Sequence, residues 1–442
     1  MSVNQNIKPL TLKTDGRGNL EIGGCDTIEL AKKYGTPLYV LDEPTLREIC
    51  REYKAAFKSY DKVNMMYASK ALCTSAATKI LAEEGFGFDT VSAGEIYTVQ
   101  NAGVDMSKVL LNGNNKLPDE LNFAVKSNIG RISADNFFEL SLLDKIAKFH
   151  NKTVNILLRV TPGIECHTHE YIQTGHLESK FGFDLTQTDE AAELILNKYK
   201  NLKLCGLHAH IGSQIFETTV YCDEMEILVK ESARLNEKFG INMNEINAGG
   251  GLGVKYTEND NPPSVNEIAD KILTGLKRSI EKYDIEPPVL FLEPGRSIVS
   301  AAGVTLYTLG SSKQVPKGRK YFAIDGGMAD NPRPSMYNAR YFAQIANKPA
   351  DKEVEEVTIA GRFCESGDIL IRNIKLPKIE EGDILCVYNT GAYNYSMASN
   401  YNRVQKPAMV LVNNGQSDLI IKRETLDDII SHDLIPDRLK IK

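Results

Sequence analysis

The sequence predicts an α/β protein: a (β/α)8 barrel joined to a second, mostly antiparallel β-domain. Three observations predict it. From Asp61 to Gly295, short apolar runs alternate with longer segments of helical period, the pattern of parallel βαβ units. Eight such runs suggest a closed barrel more than an open sheet, and they span about the ~250 residues typical of that fold. After Arg296 the rhythm changes to short alternating strands with few helices between them, which reads as antiparallel sheet.

The barrel strands are read in order from "VNMMYAS" (63–69), "GFDTVS" (87–92), "KVLLNG" (108–113), "GRISAD" (130–135), "NILLRV" (155–160), "LKLCGLHAHI" (202–211), "EINAGG" (245–250) and "PVLFLEP" (288–294). Helical stretches lie between them at 75–84, 94–102, 136–149, 217–239 and 264–283. The β-domain is read from "SIVSAAGVTLYTLGS", "KYFAIDGG", "EVTIAG", "DILCVYNTG" and "KPAMVLVNN". Residues 1–40 carry similar short strands, with "PLYVLD" at 37–42, and are expected to join that β-domain. The expected division is therefore 1–40 with the β-domain, 41–295 as the barrel and 296–442 as the β-domain. No internal repeat or low-complexity tract is evident.

Composition bounds the function. The 442 residues are 42% hydrophobic and 25% charged, ordinary values for a globular enzyme with a large core. The net charge of −6 comes without a dominant basic cluster, so neither nucleic acid nor an anionic membrane surface is indicated as a partner. No stretch has the apolar length of a membrane span. The opening "MSVNQNIKPL" has no apolar segment that could serve as a signal peptide. Eight scattered cysteines form no C-x-x-C pair and read as free thiols in a reducing compartment. The expected location is cytoplasmic.

In a barrel of this kind, reactive groups occupy the C-terminal ends of the strands. The first apolar run ends in Lys70. A lysine is almost never buried unless paired or chemically employed, although a lone one at a strand end most simply reaches into water. The other strand ends tip the balance. They carry Asp89 and Ser92, Asn112 and Asn114, Asp135 and Asn136, then Arg159, then His208, His210 and Ser213, the "GGGLG" of 249–253, and finally Glu293 and Arg296. One polar strand end is punctuation; eight at one mouth make a site.

Each motif alone is weak. "GGGLG" lacks the third glycine of a dinucleotide fingerprint and the G-K-[ST] of a Walker loop, and most glycine clusters mark a tight turn. Directly after a strand, however, its backbone N–H groups can cradle a phosphate, with Ser213 adding a hydroxyl and Arg296 a charged fork. "HAH" at 208–210 could hold a metal with "HTH" at 167–169 as partner, but a histidine lying flat on a planar ligand explains the position at least as well; no metal is expected. A lysine at the mouth, a phosphate cradle, a stacking histidine and a carboxylate together suit pyridoxal 5′-phosphate.

The segments "YASKA", "DTVSAGEI", "YIQTGHLESKFG", "HAHIGSQ", "NAGGGLG", "EPGR", "RPSMY", "CESGD" and "GAYNYSMASNYN" carry a resemblance over nearly the whole chain. It resembles the barrel-fold, alanine-racemase-like pyridoxal-phosphate decarboxylases of amino acids, and within them the branch acting on meso-2,6-diaminopimelate. The resemblance implies roles. Lys70 would anchor the cofactor covalently and His210 would stack on its ring. Ser213, Gly249, Gly250, Gly251 and Gly295 would surround the phosphate, and Glu293 would pair with the ring nitrogen. Arg296 would reach both phosphate and substrate. Arg333, Tyr337 and Glu365 would bind the far end of the substrate, Cys364 would be the acid that returns a proton, and Tyr393 would touch cofactor and substrate. It further implies a homodimer with active sites shared across the interface. Departures are small: Leu72 stands where asparagine is common, Asn331 and Pro332 precede Arg333, and Arg362 stands where proline is common.

The substrate is narrowed by charge. A bare ammonium at the far end would want carboxylates alone. Arg333 with Glu365 suits a second amino-acid head, and charges left unpaired by a smaller substrate discriminate strongly. The expected products are L-lysine and CO2, the last step of lysine biosynthesis. The alternatives are a decarboxylase of another basic amino acid or of a carboxylated polyamine, a non-catalytic pyridoxal-phosphate-binding regulatory homologue, and, remotely, a metal hydrolase.

Overall fold

Eight parallel strands close a ring in the computed structural model, which describes residues 2–164 and 179–440. They are β1 Val63–Ala68, β2 Gly87–Thr90, β3 Val109–Leu111, β4 Arg131–Ala134, β5 Val154–Thr161, β6 Leu202–His208, β7 Glu245–Asn247 and β8 Val289–Leu292. Each pairs with the next, and β8 returns to β1 with Leu290 opposite Val63 and Leu292 opposite Met65. All eight expected runs are therefore strands, in the expected order. A ninth, Phe183–Asp184, pairs with the end of β5 and was not anticipated from the sequence; two residues are too short to carry a period.

The strands are apolar because they are buried on both faces. Met66, Leu110, Leu157, Cys205 and Phe291, from β1, β3, β5, β6 and β8, meet in one buried cluster. Each large side chain so buried contributes roughly 1.5–3 kcal/mol. Arg131 and Glu245, at the starts of β4 and β7, form two bonds of 2.6 Å each. Helices follow the strands at Ser75–Glu83, Ala93–Asn101, Pro118–Lys126, Phe137–Phe149, Thr188–Asn197, Thr219–Phe239 and Val265–Tyr283. Their starts are set by side-chain caps: Ser92 accepts from Glu95 N, Asn136 from Glu139 N and Ser264 from Glu267 N, satisfying N–H groups that the helix cannot. Ser92 and Asn136, two of the polar strand-end residues, thus serve the helices.

By packing, the chain divides into two units: Met1–Ile7 with Thr45–Ala301, and Lys8–Pro44 with Ala302–Lys442. The first residues depart from the expectation for 1–40. Asn4 donates to Gly253 O and Pro263 O, so this end is tied to the barrel unit by long-range bonds that no local pattern announces. "RSIV", 296–299, is a short helix where a strand was expected; it is buried at every residue, which hides its helical period.

In the second unit, one sheet runs in the order Ile369–Leu376, Glu355–Ala360, Lys320–Ile324, Gly303–Gln314, Leu38–Asp42, Ala408–Asn413, Gln416–Ile421, with Ile384–Tyr388 also on Gly303–Gln314. It is mostly antiparallel. The exceptions are Leu38–Asp42 with Ala408–Asn413 and Lys320–Ile324 with Glu355–Ala360.

Candidate active site

Glu293, one residue past β8, is 7% exposed and is met by three side-chain nitrogens. Asn247 Nδ2 at the end of β7 donates to Oε1 at 2.7 Å, and Asn112 Nδ2 just past β3 donates to the same oxygen at 3.1 Å. His208 Nε2, the last residue of β6, lies 3.4 Å from Oε2. Burial alone would push this carboxyl up, but His208 and Asn247 outweigh it and hold its pKa at about 2. Asp89 at the end of β2 has the opposite fate. It is buried, it faces the Glu293 charge, and its pKa is raised well above the usual range, against the pull of Lys70.

The glycine turn after β7 is fixed from both sides. Gly249 N donates to Asn247 Oδ1 at 2.9 Å, and Gly249 O accepts from Glu293 N at 2.5 Å. Gly249 has φ +59°, and a Cβ there would stand 2.8 Å from His210 Nδ1. A Cβ on Gly250 would meet Glu293 O at 2.2 Å. The triplet is therefore a tight turn wedged between strand ends, and Gly250 N donates to His210 Nδ1 at 3.3 Å. Arg296, 9% exposed, spreads its fork between Ser213 Oγ (2.9 Å) and Tyr256 Oη (3.0 Å). Ser213 and Arg296 thus come together as the sequence suggested; Tyr256, which steadies the guanidinium, was missed.

Lys70 lies in the turn Ser69–Ala71 after β1 and is exposed. Its charge reaches Asp89, Glu95, His208 and His210, opposing a proton on either histidine. Burial is the larger cause holding His210 well below its usual value, so its ring is neutral at pH 7. Arg159 in β5 is 7% exposed and stacks on Phe181 at 4.2 Å. "HAH" does not act as a pair: His208 turns to Glu293 and His210 to the glycine turn. Among the described residues no group of three or more His, Cys, Asp or Glu side chains could hold a metal ion. "HTH" and residues 171–178 of "YIQTGHLESKFG" lie outside the described residues.

These groups fit pyridoxal phosphate by their own chemistry. A buried, hydrogen-bonded carboxylate suits a protonated ring nitrogen. A glycine turn, a hydroxyl and a guanidinium suit a phosphate. A primary amine stands at the same mouth.

The second unit gathers the other candidates. Arg333 opens the short helix Arg333–Tyr337, is 7% exposed, and donates to Tyr341 Oη at 2.6 Å. Ser335 Oγ of that helix donates to Gly367 O at 3.0 Å, so the "RPSMY" helix lies against the "CESGD" loop. Asp368 ties the same loops together, accepting from Met328 N at 2.7 Å and Phe363 N at 2.9 Å. Cys364 and Glu365 are exposed on that loop, with Cys364 N bonded to Asn402 Oδ1 at 3.1 Å. Tyr337 is half-buried, as is Tyr393, which has φ +60°.

Comparison with known proteins gives a consistent picture. Residues 46–300 match the family described as pyridoxal-dependent decarboxylase, pyridoxal binding domain. The chain is 46% identical over 427 residues to the diaminopimelate decarboxylase of Bacillus subtilis (strain 168), covering 96% of this chain and 97% of that one. It is 48% identical to that of Bacillus methanolicus over 417 residues, covering 94% and 96%. Among solved structures it resembles diaminopimelate decarboxylase from M. jannaschii in complex with L-lysine, with TM-score 0.92, 35% identity and full coverage of both chains.

Proposed function

The chain belongs to the diaminopimelate decarboxylase family of pyridoxal-dependent decarboxylases, and from that membership we propose that it converts meso-2,6-diaminopimelate to L-lysine and CO2. The observation that carries the chemistry is Glu293: a carboxylate buried at the barrel mouth and kept ionised by the N–H groups of Asn247 and Asn112 and by His208 close beside it. A buried charge is costly unless its environment is built to hold it, and this one is built from the ends of three strands.

When bound, pyridoxal phosphate supplies an aldehyde for an amine and a protonated ring that withdraws electrons from the Cα of an amino acid. Lys70 would anchor it and Glu293 would hold the proton on its ring nitrogen. Gly249, Gly250, Gly251, Ser213, Gly295 and Arg296 would hold its phosphate. The neutral His210 ring would lie against it without adding a competing charge. Buried groups at the mouth exclude water and so strengthen each of these interactions.

Substrate reading falls to the second unit. Arg333, oriented by Tyr341, offers a planar fork to a carboxylate. Glu365 would offer an acid to the ammonium of the same head. Tyr337 and Tyr393 would complete the set on that unit, with Arg296 of the first unit as a further contact. Cys364 Sγ would return the proton at Cα. Because Cys364 and Glu365 are exposed on their own chain, we assign them to the mouth of a second copy, making a homodimer with shared sites. Seven free cysteines among the described residues support a cytoplasmic setting; no described helix is long and apolar enough to cross a membrane.

The test is an assay of the cofactor-loaded protein with meso-diaminopimelate, L-lysine and L-ornithine in parallel. CO2 release with stoichiometric L-lysine from the first substrate alone is expected. Turnover of lysine or ornithine in preference to it would refute the substrate assignment.

A further inference from the structure

His208 was the unassigned half of the "HAH" motif. Its ring is 1% exposed and both ring nitrogens face polar atoms: Nδ1 stands 2.7 Å from Ser133 Oγ of β4, and Nε2 stands 3.4 Å from Glu293 Oε2. An ionised carboxylate only accepts hydrogen bonds, whereas a serine hydroxyl can donate or accept. The proton of a neutral ring therefore belongs on Nε2, and Ser133 must donate to Nδ1. Lys70 and Arg159 oppose a second proton, in the same direction as burial, while Glu293 favours it; burial is the largest cause and the ring is held below its usual value.

We propose that His208 is a positioning residue for Glu293: Ser133 locks its tautomer, and its Nε2–H joins Asn112 and Asn247 in holding the carboxylate ionised and fixed in orientation. The ordinary alternative is a satisfied core histidine. Against it stands the arrangement around the carboxylate: the two amides donate to Oε1, and His208 Nε2, buried and with no other hydrogen-bond partner among the described residues, stands 3.4 Å from Oε2. The consequence is directional. Each N–H donor makes Glu293 a weaker base, so a proton shared with a ring nitrogen stays on the ring. That consequence rests on Glu293 facing the ring nitrogen, whereas the His208–Glu293 relation does not.

The two are separable by experiment. In 15N-histidine spectra of the apoprotein, the resonance lost in His208→Gln should be a neutral ring protonated at Nε2 between pH 7 and 9. A ring protonated at Nδ1, or an imidazolium, overturns the proposal. Infrared difference spectra of apoprotein against Glu293→Gln should show only a carboxylate at neutral pH. In His208→Leu the Glu293 titration should move up by a pH unit or more, a factor of ten or greater in acidity. His208→Gln, which keeps a side-chain N–H, should recover most of that shift. An unmoved titration in His208→Leu overturns the proposal. Finally, 15N-labelled pyridoxal phosphate bound to His208→Leu should lose ring-nitrogen protonation. If Glu293 titrates as described but the ring nitrogen is indifferent, the His208 relation stands and the placement of Glu293 at the ring is wrong.

Discussion

Asp89 and Glu293 accept hydrogen bonds from one nitrogen: Asn112 Nδ2 lies 2.7 Å from Asp89 Oδ1 and 3.1 Å from Glu293 Oε1. Two carboxyls so close cannot both ionise cheaply. Their surroundings divide the labour, with burial and the neighbouring charge raising Asp89 and the ring of donors holding Glu293 down. Such a split is how one site assigns different tasks to like groups.

Asn112→Ala removes the donor common to both. A hydrogen bond to a charged group is worth about 1.5–3 kcal/mol, so kcat should fall roughly 10- to 150-fold. The loss has a pH signature. Removing a donor to the charged form raises the Glu293 pKa, so the deficit should widen as pH is lowered. Steady-state rates across a pH series measure this; a deficit constant with pH would mean that Asn112 acts on the fold and not on Glu293.

Much of this was readable from the residues. The eight strands were legible because each is a run of apolar residues between turn signals, and Lys70, Ser213, Glu293 and Arg296 because they follow such runs. "HAH" offered a remote metal pair or a stacking histidine but no separate role for His208, because side-chain direction beyond a strand's last residue is set by neighbours and not by period. Asn247 and Ser133 carry no motif that marks their role. Their partners are 46 and 75 residues away, and Asn112 is 181 residues from Glu293. Closing the barrel is what brings them together. Tyr256, which steadies Arg296 from 40 residues away, was invisible for the same reason; Tyr341 stands near Arg333 in sequence, but no motif marks it.

Arg333→Lys keeps the charge and should still cost activity, because a bidentate fork held by Tyr341 becomes a flexible point charge. The rise should be mainly in KM for meso-diaminopimelate, by about tenfold for each ~1.4 kcal/mol of binding lost. Unaltered kinetics would remove Arg333 from the substrate.

Glu224, in the helix Thr219–Phe239, is fully buried, and neither carboxyl oxygen has a hydrogen-bond partner among the described residues. Burial, and next the Glu293 charge, raise its pKa well above the usual carboxylate range. The folded chain therefore keeps a proton that the unfolded chain releases as pH rises past about 4.5. That release favours unfolding increasingly up to the folded pKa. Glu224→Met, unbranched and apolar, removes both the proton and the orphaned oxygens. It should stabilise by about 1–3 kcal/mol, some 2–4 °C of Tm per kcal/mol, with the gain larger at pH 8 than at pH 5. Thermal unfolding at the two pH values tests it, and equal or negative gains would refute it.

The shared-site assignment makes the most demanding prediction. Cys364 lies on an exposed loop of the second unit, and Lys70 lies in the first, past β1. If one copy's Cys364 serves the other's Lys70, the two residues of a working site come from different chains. Lys70→Ala and Cys364→Ala should each be nearly inactive as homodimers. In a heterodimer of the two, one site carries both defects. The other takes Lys70 from the Cys364→Ala chain and Cys364 from the Lys70→Ala chain, and so carries neither. Mixing should therefore restore activity as subunits exchange, toward about a quarter of the wild-type rate: at equal mixing half the dimers are hybrid, and each holds one intact site of two. Native mass spectrometry follows the exchange independently. Hybrid dimers that form without any return of activity would place both residues of each site on a single chain.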